Sequence, residues 1–143
     1  LQPLPLIVGL GAAVELAVAD LPARSARLAS LRDRLWQRLE PIGGIERNGA
    51  ATPRLPHNLN ITVMGLDGAA LHSRLRRVLA VSSGSACSSG SPSHVLQALG
   101  RSRQEAAASI RFSLGPSTST ADIDAAAEHV LAAIKVLRQG PRG

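Results

Sequence analysis

Two short stretches of this sequence alternate between apolar and polar residues, and they restrict the possible fold more than any other feature. In Asn58–Val63 the apolar residues are Leu59, Ile61 and Val63, and residues 110–114 repeat the pattern. Alternation with a period of two is typical of a strand that has one face in the core and one polar face. The sequence therefore predicts at least two strands of this kind.

The other patterned segments have helical spacing or are too short to show a period. The predicted helices cover residues 6–21, a segment beginning at Pro22, a segment after the N-cap Asp67, residues 92–99, and a segment after the Ser/Thr cluster 117–120. Gly9 and Gly11 weaken the first of these helices. Further short strands are predicted at 45–47 and 79–81. Together these elements predict an α+β fold, with a small, mostly antiparallel sheet and helices packed on one face.

The chain length allows one domain with a proper core. We interpret residues 1–143 as a single small domain in which residues 1–21 form a leading helix. Hydrophobic residues make up 45% of the chain and charged residues 18%, which is typical of neither a disordered nor a membrane protein. Trp36 and Phe112 are the only aromatic residues, so the core has to be aliphatic.

The net charge of +6 at pH 7 raises the question of a nucleic-acid partner. Five arginines fall on one predicted helix: Arg24, Arg27, Arg32, Arg34 and Arg38. The aromatic residues, Trp36 and Phe112, are better used in a core than for stacking on bases. This distribution favours solvent-exposed helix faces over a nucleic-acid interface, and it leaves an acidic protein partner open.

The single cysteine, Cys87, lies in the Ser/Gly-rich segment 82–91. One cysteine excludes an internal disulfide, and nothing in the sequence points to an oxidising compartment, so we expect a cytoplasmic protein. Small residues cannot anchor such a segment through burial, and we therefore expect an accessible thiol. From the residues alone, Cys87 is either a reactive thiol or a small residue that fills a loop.

Arg111 lies in the middle of the second alternating stretch, on the polar side of its strand. A guanidinium held on a rigid strand is suited to binding a carboxylate through two parallel hydrogen bonds. The alternative is an ordinary arginine on a solvent-facing sheet surface. Both interpretations stay open from the residues alone.

Other chemical motifs are incomplete. Gly9 and Gly11 resemble the start of a dinucleotide-binding fingerprint, but Val14 occupies the position of its third glycine. The sequence holds no Gly-Lys pair, which excludes a phosphate-binding P-loop. Cys87 and His94 are too isolated from other ligands to predict a metal site.

Four segments resemble, in order and approximate spacing, the C-terminal part of cysteine desulfurases of the NifS/IscS type, which belong to the class V aminotransferase family. They are residues 56–61, 82–87, 92–96 and 109–115. The Ser-Ser-Gly-Ser-Ala-Cys sequence that ends at Cys87 is the most specific of them. Residues 7–11 and the final helix also fit, so the resemblance covers essentially the whole chain.

The resemblance implies the C-terminal small domain of a fold-type I pyridoxal-phosphate enzyme that converts L-cysteine to L-alanine. It implies that Cys87 is the nucleophile that takes the sulfur as a persulfide. It also implies that Arg111 binds the α-carboxylate of the substrate. The sulfur would pass to an acceptor protein such as an iron–sulfur scaffold, and the complete enzyme would be a homodimer.

The chain departs from this family in its lysine content. The family links its cofactor to a lysine that follows a histidine in a large domain, whereas Lys135 is the only lysine here and lies in the final helix. We therefore expect pyridoxal phosphate in the complete enzyme and none on this chain alone, which would be inactive without the missing large domain. Two alternatives stay open: a non-enzymatic sulfur-carrier or interaction module, and a class V aminotransferase with another substrate.

Overall fold

The computed structural model of the protein describes residues 3–82 and 91–140. In chain order the elements are α1 (Leu4–Ala19), α2 (Leu21–Leu39), a 3₁₀ turn (Glu40–Ile42), β1 (Ile45–Arg47), β2 (Asn58–Val63), α3 (Gly68–Leu75), α4 (His94–Ala98), α5 (Arg103–Ala107), β3 (Ser109–Ser113) and α6 (Thr120–Gln139).

The three strands form one antiparallel sheet in the order β1-β2-β3. Ile45 pairs with Val63 between β1 and β2, and Ile61 pairs with Ile110 between β2 and β3. Since side chains alternate along a strand, this register gathers the apolar residues of all three strands on one face. The predicted α+β class is confirmed.

Three helices cover the apolar face of the sheet and form the core with it. The apolar residues of α2 face this core: Leu35 and Leu39 are 1% and 0% exposed and lie in one cluster with Leu59 and Ile61. Leu71 of α3 belongs to the same cluster. The α6 residues in this cluster are Ile123, Ala127, Val130, Ala133 and Ile134. Burial of this aliphatic surface is the main stabilising contribution to the fold.

The ends of the helices follow capping rules. Asp67 accepts a hydrogen bond from Ala70 N at 2.7 Å at the start of α3, as predicted. Ser119 and Asp122 form a capping box at the start of α6, and the hydrogen bonds from Ser119 hold the pKa of Asp122 below its ordinary value. Pro22 lies in the first turn of α2, where its missing N–H costs nothing.

Arginines of α2 pair with acidic residues of α6. Arg34 donates two hydrogen bonds to Asp124, at 2.9 and 2.8 Å, and they hold the pKa of that carboxyl below its ordinary value. Arg38 lies 3.4 Å from the same carboxylate. Arg32 is only 9% exposed and pairs with Asp33 at 2.8 Å, so the expectation of a solvated helix face is wrong for this residue.

One further local prediction differs from the structure. Residues 79–81 do not form a strand; only Ser82 pairs with β3, in a single bridge to Arg111. α1 continues through Gly9 and Gly11, although glycine is a weak helix former. No residue of α1 is buried, and Leu6 and Leu16 are each 73% exposed. The apolar spacing therefore predicts this helix correctly without showing what its apolar residues contact.

Within residues 3–82 and 91–140, no single helix has the length and apolar character needed to cross a membrane. One bent pair, Leu4–Ala19 with Leu21–Ile42, meets those two criteria together, with an angle of 68° between its halves.

Gly68, the first residue of α3, is packed directly against the backbone that leads into β3. A Cβ at this position would overlap the carbonyl group of Ala107 and lie 2.9 Å from Ala108 N. We expect Gly68→Ala to destabilise the chain by about 1–3 kcal/mol, because steric overlap with rigid backbone outweighs the gain of about 1 kcal/mol in helix propensity.

Urea denaturation of this variant is compared with that of Gly115→Ala, whose Cβ would meet nothing within 4 Å. Equal midpoints for the two variants would contradict the close approach of α3 to Ala107.

Candidate active site

The face of the sheet opposite the core is polar. It carries Asn58, Asn60 and Thr62 of β2, which pair across the strands with Ser113, Arg111 and Ser109 of β3. Thr62 and Ser109 are buried, at 0% and 1% exposed, whereas Asn60 and Arg111 are only partly buried. This polar face is therefore closed at one end and accessible around Arg111.

Arg111 is fixed in the middle of β3 by contacts with Ser82. The backbone groups of the two residues exchange hydrogen bonds, from Arg111 N to Ser82 O at 2.9 Å and from Ser82 N to Arg111 O at 3.2 Å. Arg111 Nη2 also donates to Ser82 Oγ at 3.1 Å. Among the described residues, no carboxylate lies within salt-bridge distance of this guanidinium. A rigid arginine with an unneutralised charge is suited to binding an external carboxylate.

Cys87, the other predicted site residue, lies outside the described residues. In the sequence it follows Ser82 by five residues.

Next to Arg111, the polar face carries a hydrogen-bonded network that includes buried Asn48. Asn48 Nδ2 donates to Asn60 Oδ1 at 2.7 Å and to Thr62 Oγ1 at 2.9 Å. Thr62 Oγ1 is 2.8 Å from Ser109 Oγ, which donates to the carbonyl of Glu105 at 2.8 Å. Every buried polar side chain in this chain of contacts has a partner, which rigidifies the sheet at this point.

Arg101 closes the network at its outer end. Its Nε donates to Asn48 Oδ1 at 2.7 Å, and its Nη1 pairs with Glu46 of β1. Arg101 precedes α5, whose capping box is formed by Ser102 and Glu105. The hydrogen bonds from Ser102 hold the pKa of Glu105 below its ordinary value. The α4–α5 segment is thereby fixed to the polar side of the sheet.

His72 connects α3 to the same strand as Arg111. A backbone carbonyl can only accept, so Nε2 of His72 carries the proton and donates to Ser109 O at 2.9 Å. Burial lowers the pKa of His72 below its ordinary value, and the hydrogen bond to Ser109 opposes this only in part. The folded chain therefore favours the neutral imidazole.

We expect the stability of the chain to fall as the pH decreases from 7.5 to 5. Because the pKa of His72 is lower in the folded state, the unfolded state takes up a proton first, near its ordinary pKa of about 6.5. The stabilising contribution of neutral His72 is fully present above the pKa that His72 has in the unfolded state. It is lost as the pH falls towards the lower pKa of the folded state. The carboxyl groups with lowered pKa values take up protons in the unfolded state mainly below about pH 5, because their ordinary pKa values are about 4.

The measurement is urea denaturation of the wild type, His72→Gln and His129→Gln at pH 7.5 and pH 5. The His72→Gln variant should lose less stability over this range than the wild type. His129→Gln, at an exposed position of α6, is the matched control for the loss of an imidazole. An unchanged slope in His72→Gln would contradict the assignment to His72.

The sequence analysis did not find Asn48, Asn60, Thr62, Ser109 or Arg101 as parts of one site. A local signal existed for Asn60 and Thr62, which lie on the polar side of the alternating stretch Asn58–Val63. Asn48 and Arg101 are separated by 53 positions, and only the strand register brings them together.

Among residues 3–82 and 91–140, no three or more His, Cys, Asp or Glu side chains come close enough to hold a metal ion. The one lysine, Lys135, is exposed on α6, in the helix layer that covers the apolar face of the sheet. Arg111 lies on the opposite face. Among the described residues, no lysine lies on the face of the sheet that carries Arg111.

The fold and the matching residues define the class of protein. A family model described as "Aminotransferase class-V" matches residues 2–126, and the chain belongs to this family. It is 44% identical over 134 residues to "Cysteine desulfurase IscS" of Ectopseudomonas mendocina (strain ymp), which covers 92% of this chain and 33% of that protein. A protein of the same name from Pseudomonas aeruginosa (strain LESB58) is 43% identical over 135 residues, covering 93% of this chain and 33% of the relative.

Solved structures agree with this assignment. A structure titled "X-ray structure of NifS-like protein from Rickettsia africae ESF-5" superposes with a TM-score of 0.79 at 26% identity, covering 90% of this chain and 34% of that one. The predicted resemblance to the NifS/IscS family is confirmed. The chain spans about a third of the length of the curated relatives that it matches.

Proposed function

We propose that this chain is the C-terminal small domain of a cysteine desulfurase, which converts L-cysteine to L-alanine and places the released sulfur on Cys87. The observation that carries the proposal is Arg111, a guanidinium fixed on β3 with no carboxylate partner among the described residues. The printed names of the relatives, which are cysteine desulfurases, support it.

Arg111 would bind the α-carboxylate of L-cysteine and so orient the substrate. β3 pairs with β2 on one side and Ser82 on the other, which holds the Cα of Arg111 in place. Its side chain donates one hydrogen bond to Ser82 Oγ, and its other N–H groups would donate to the carboxylate. A charge-assisted, bidentate contact of this kind fixes direction as well as position.

Cys87 would receive the sulfur. Its thiolate attacks the sulfur atom of the bound L-cysteine, so a sulfur–sulfur bond forms and the carbon–sulfur bond breaks. The electron pair of the broken bond stays with the carbon, which takes up a proton and becomes the methyl group of L-alanine. One L-cysteine and one thiol thus give one L-alanine and one persulfide, and the reaction needs no external oxidant.

Class V aminotransferase relatives imply pyridoxal phosphate in the complete enzyme. Because Lys135 is on the opposite side of the sheet from Arg111, we propose that the cofactor is held by a large domain outside these 143 residues. We further propose that the complete enzyme is a cytoplasmic homodimer and passes its sulfur to an acceptor protein, such as an iron–sulfur scaffold.

The test uses the full-length protein that contains this chain, supplied with pyridoxal phosphate and L-cysteine. We expect equimolar L-alanine and sulfide in the presence of a thiol reductant. The isolated 143-residue chain under the same conditions should give neither product. Absence of L-alanine from the full-length protein would refute the proposed reaction.

The position of Lys135 also favours a second candidate, a sulfur carrier that keeps the thiol without catalysis. A carrier would accept sulfur from a separate persulfide donor and pass it on, with no formation of L-alanine. Mass spectrometry of the isolated chain after incubation with a persulfide donor distinguishes the two. A stable adduct of one sulfur atom on Cys87, together with an inactive full-length protein, would select the carrier.

A further inference from the structure

Asn60 lies directly opposite Arg111 on the polar face, and the backbone hydrogen bonds show how closely the two residues approach. The N–H and C=O of Arg111 both bond to Ser82, on the side away from β2. The β2 residue opposite Arg111 therefore belongs to a non-hydrogen-bonded pair, in which Cα atoms are about 4.5 Å apart and side chains are closest. The bonds from Val63 N to Ala108 O and from Leu114 N to His57 O fit this alternation.

The network beside Asn60 determines which way its amide group points. Arg101 Nε can only donate, so the atom of Asn48 that it contacts at 2.7 Å is the oxygen. Asn48 must then present its nitrogen to Asn60, at 2.7 Å. Since that nitrogen donates, Asn60 presents its own oxygen to Asn48. The Nδ2 group of Asn60 is left to face away from the network.

Asn60 Nδ2 has no hydrogen-bond acceptor among the described residues, and it is not among their buried unpaired atoms. The residue itself is firmly held, because Asn48 N also donates to Asn60 O at 2.9 Å. A fixed amide with two outward N–H groups therefore lies beside a fixed guanidinium. Neither group has an anionic partner within the described part of the chain.

We propose that Asn60 is a second carboxylate-binding residue, whose Nδ2 donates a hydrogen bond to the substrate carboxylate held by Arg111. This inference rests on the proposed function and adds a residue to the same site. The hydrogen bonds that connect Arg101, Asn48 and Asn60 position the amide of Asn60, because they orient its Nδ2 group away from Asn48.

The experiment measures Asn60→Ala in the full-length protein. A lost hydrogen bond to a charged group corresponds to about a 10- to 100-fold change in affinity. We therefore expect a rise of at least tenfold in KM for L-cysteine, with kcat nearly unchanged. The inhibition constant of L-alanine should rise by the same factor, while that of ethylamine, which lacks the carboxylate, should not change.

Two further variants separate direct contact from an effect through Arg111. Asn58→Ala removes the same side chain from the same face of β2, two residues away along the strand, and should leave KM unchanged. In an Arg111→Lys background, Asn60→Ala should still weaken the binding of L-alanine severalfold if Asn60 contacts the carboxylate itself. If Asn60 only positions Arg111, its replacement has no effect in that background.

Asn60→Thr provides a second variant that keeps an acceptor for Asn48 and a β-branched residue in the strand, but shortens the donor. It should reproduce the rise in KM. If Asn60→Ala weakened the binding of L-alanine and of ethylamine equally, or had no effect in the Arg111→Lys background, the proposed role of Asn60 would be wrong. Neither result would contradict the desulfurase function. A wild type that forms no L-alanine would overturn both.

Discussion

Replacing Arg111 by leucine in the full-length protein should lower kcat/KM for L-cysteine by roughly 10³-fold. Loss of one partner from a hydrogen-bonded charge pair costs about 2–5 kcal/mol, and about 1.4 kcal/mol corresponds to a factor of ten. Most of the loss should appear in KM, because the carboxylate contact exists both before and during the reaction. Arg111→Lys should fall between the wild type and Arg111→Leu, since lysine keeps the charge but not the planar fork.

Steady-state kinetics with L-cysteine and binding of L-alanine as a competitor provide the measurement. Arg103→Leu is the matched control. Arg103 is exposed on α5 and is not a residue of the sheet, and its replacement removes the same charge. Among the described residues, the guanidinium of Arg111 makes one hydrogen bond, to Ser82, so the unfolding midpoint of Arg111→Leu should stay close to that of the wild type. A fall in kcat/KM of similar size in both variants would show that overall charge, and not carboxylate binding, is responsible.

The secondary structure that carries Arg111 could be predicted from local sequence. β2 was predicted with its observed bounds, because its alternation of apolar and polar residues coincides with the paired segment. α6 was predicted as a helix from its helical spacing after the Ser/Thr cluster 117–120. α5 was missed: Arg103–Ala107 is five residues long, too short for a helical period, although its capping-box residues are visible in the sequence.

Tertiary pairing was less accessible to sequence reasoning than secondary structure. Residues 79–81 are apolar enough for a strand, but only Ser82 pairs with β3. A strand requires a partner of matching register, and nothing in a local window shows whether one exists. The exposed apolar residues of α1 illustrate the same difficulty, since helical spacing does not reveal what a helix packs against.

The candidate site residues also divide into those that local sequence reveals and those that depend on tertiary pairing. Arg111 stood out because a charged residue in the middle of an alternating strand is visible locally. The orientation of Asn60 was invisible, because it depends on Asn48 and Arg101, which lie far away in the sequence. Sequence reasoning therefore identified a charge that could bind substrate, and the strand register supplied the neighbours that would refine its specificity.

Replacing Cys87 by alanine should abolish transfer of sulfur while leaving the carboxylate site intact. Formation of L-alanine should fall by at least 10³-fold, because the carbon–sulfur bond then lacks the nucleophile that accepts the sulfur. Binding of L-alanine should change by less than about twofold, since no step of carboxylate recognition at Arg111 requires the thiol. This separation of chemistry from binding is the opposite of the result expected for Arg111→Leu.

Mass spectrometry of the full-length protein after one turnover without reductant checks the assignment directly. The wild type should gain one sulfur atom, about 32 Da, on the peptide that contains Cys87, and Cys87→Ala should gain none there. Cys87→Ser keeps a side chain of similar size but is a much weaker nucleophile, so it should behave like the alanine variant. If Cys87→Ser or Cys87→Ala still formed L-alanine at the wild-type rate, the sulfur would be leaving by a route that does not involve Cys87.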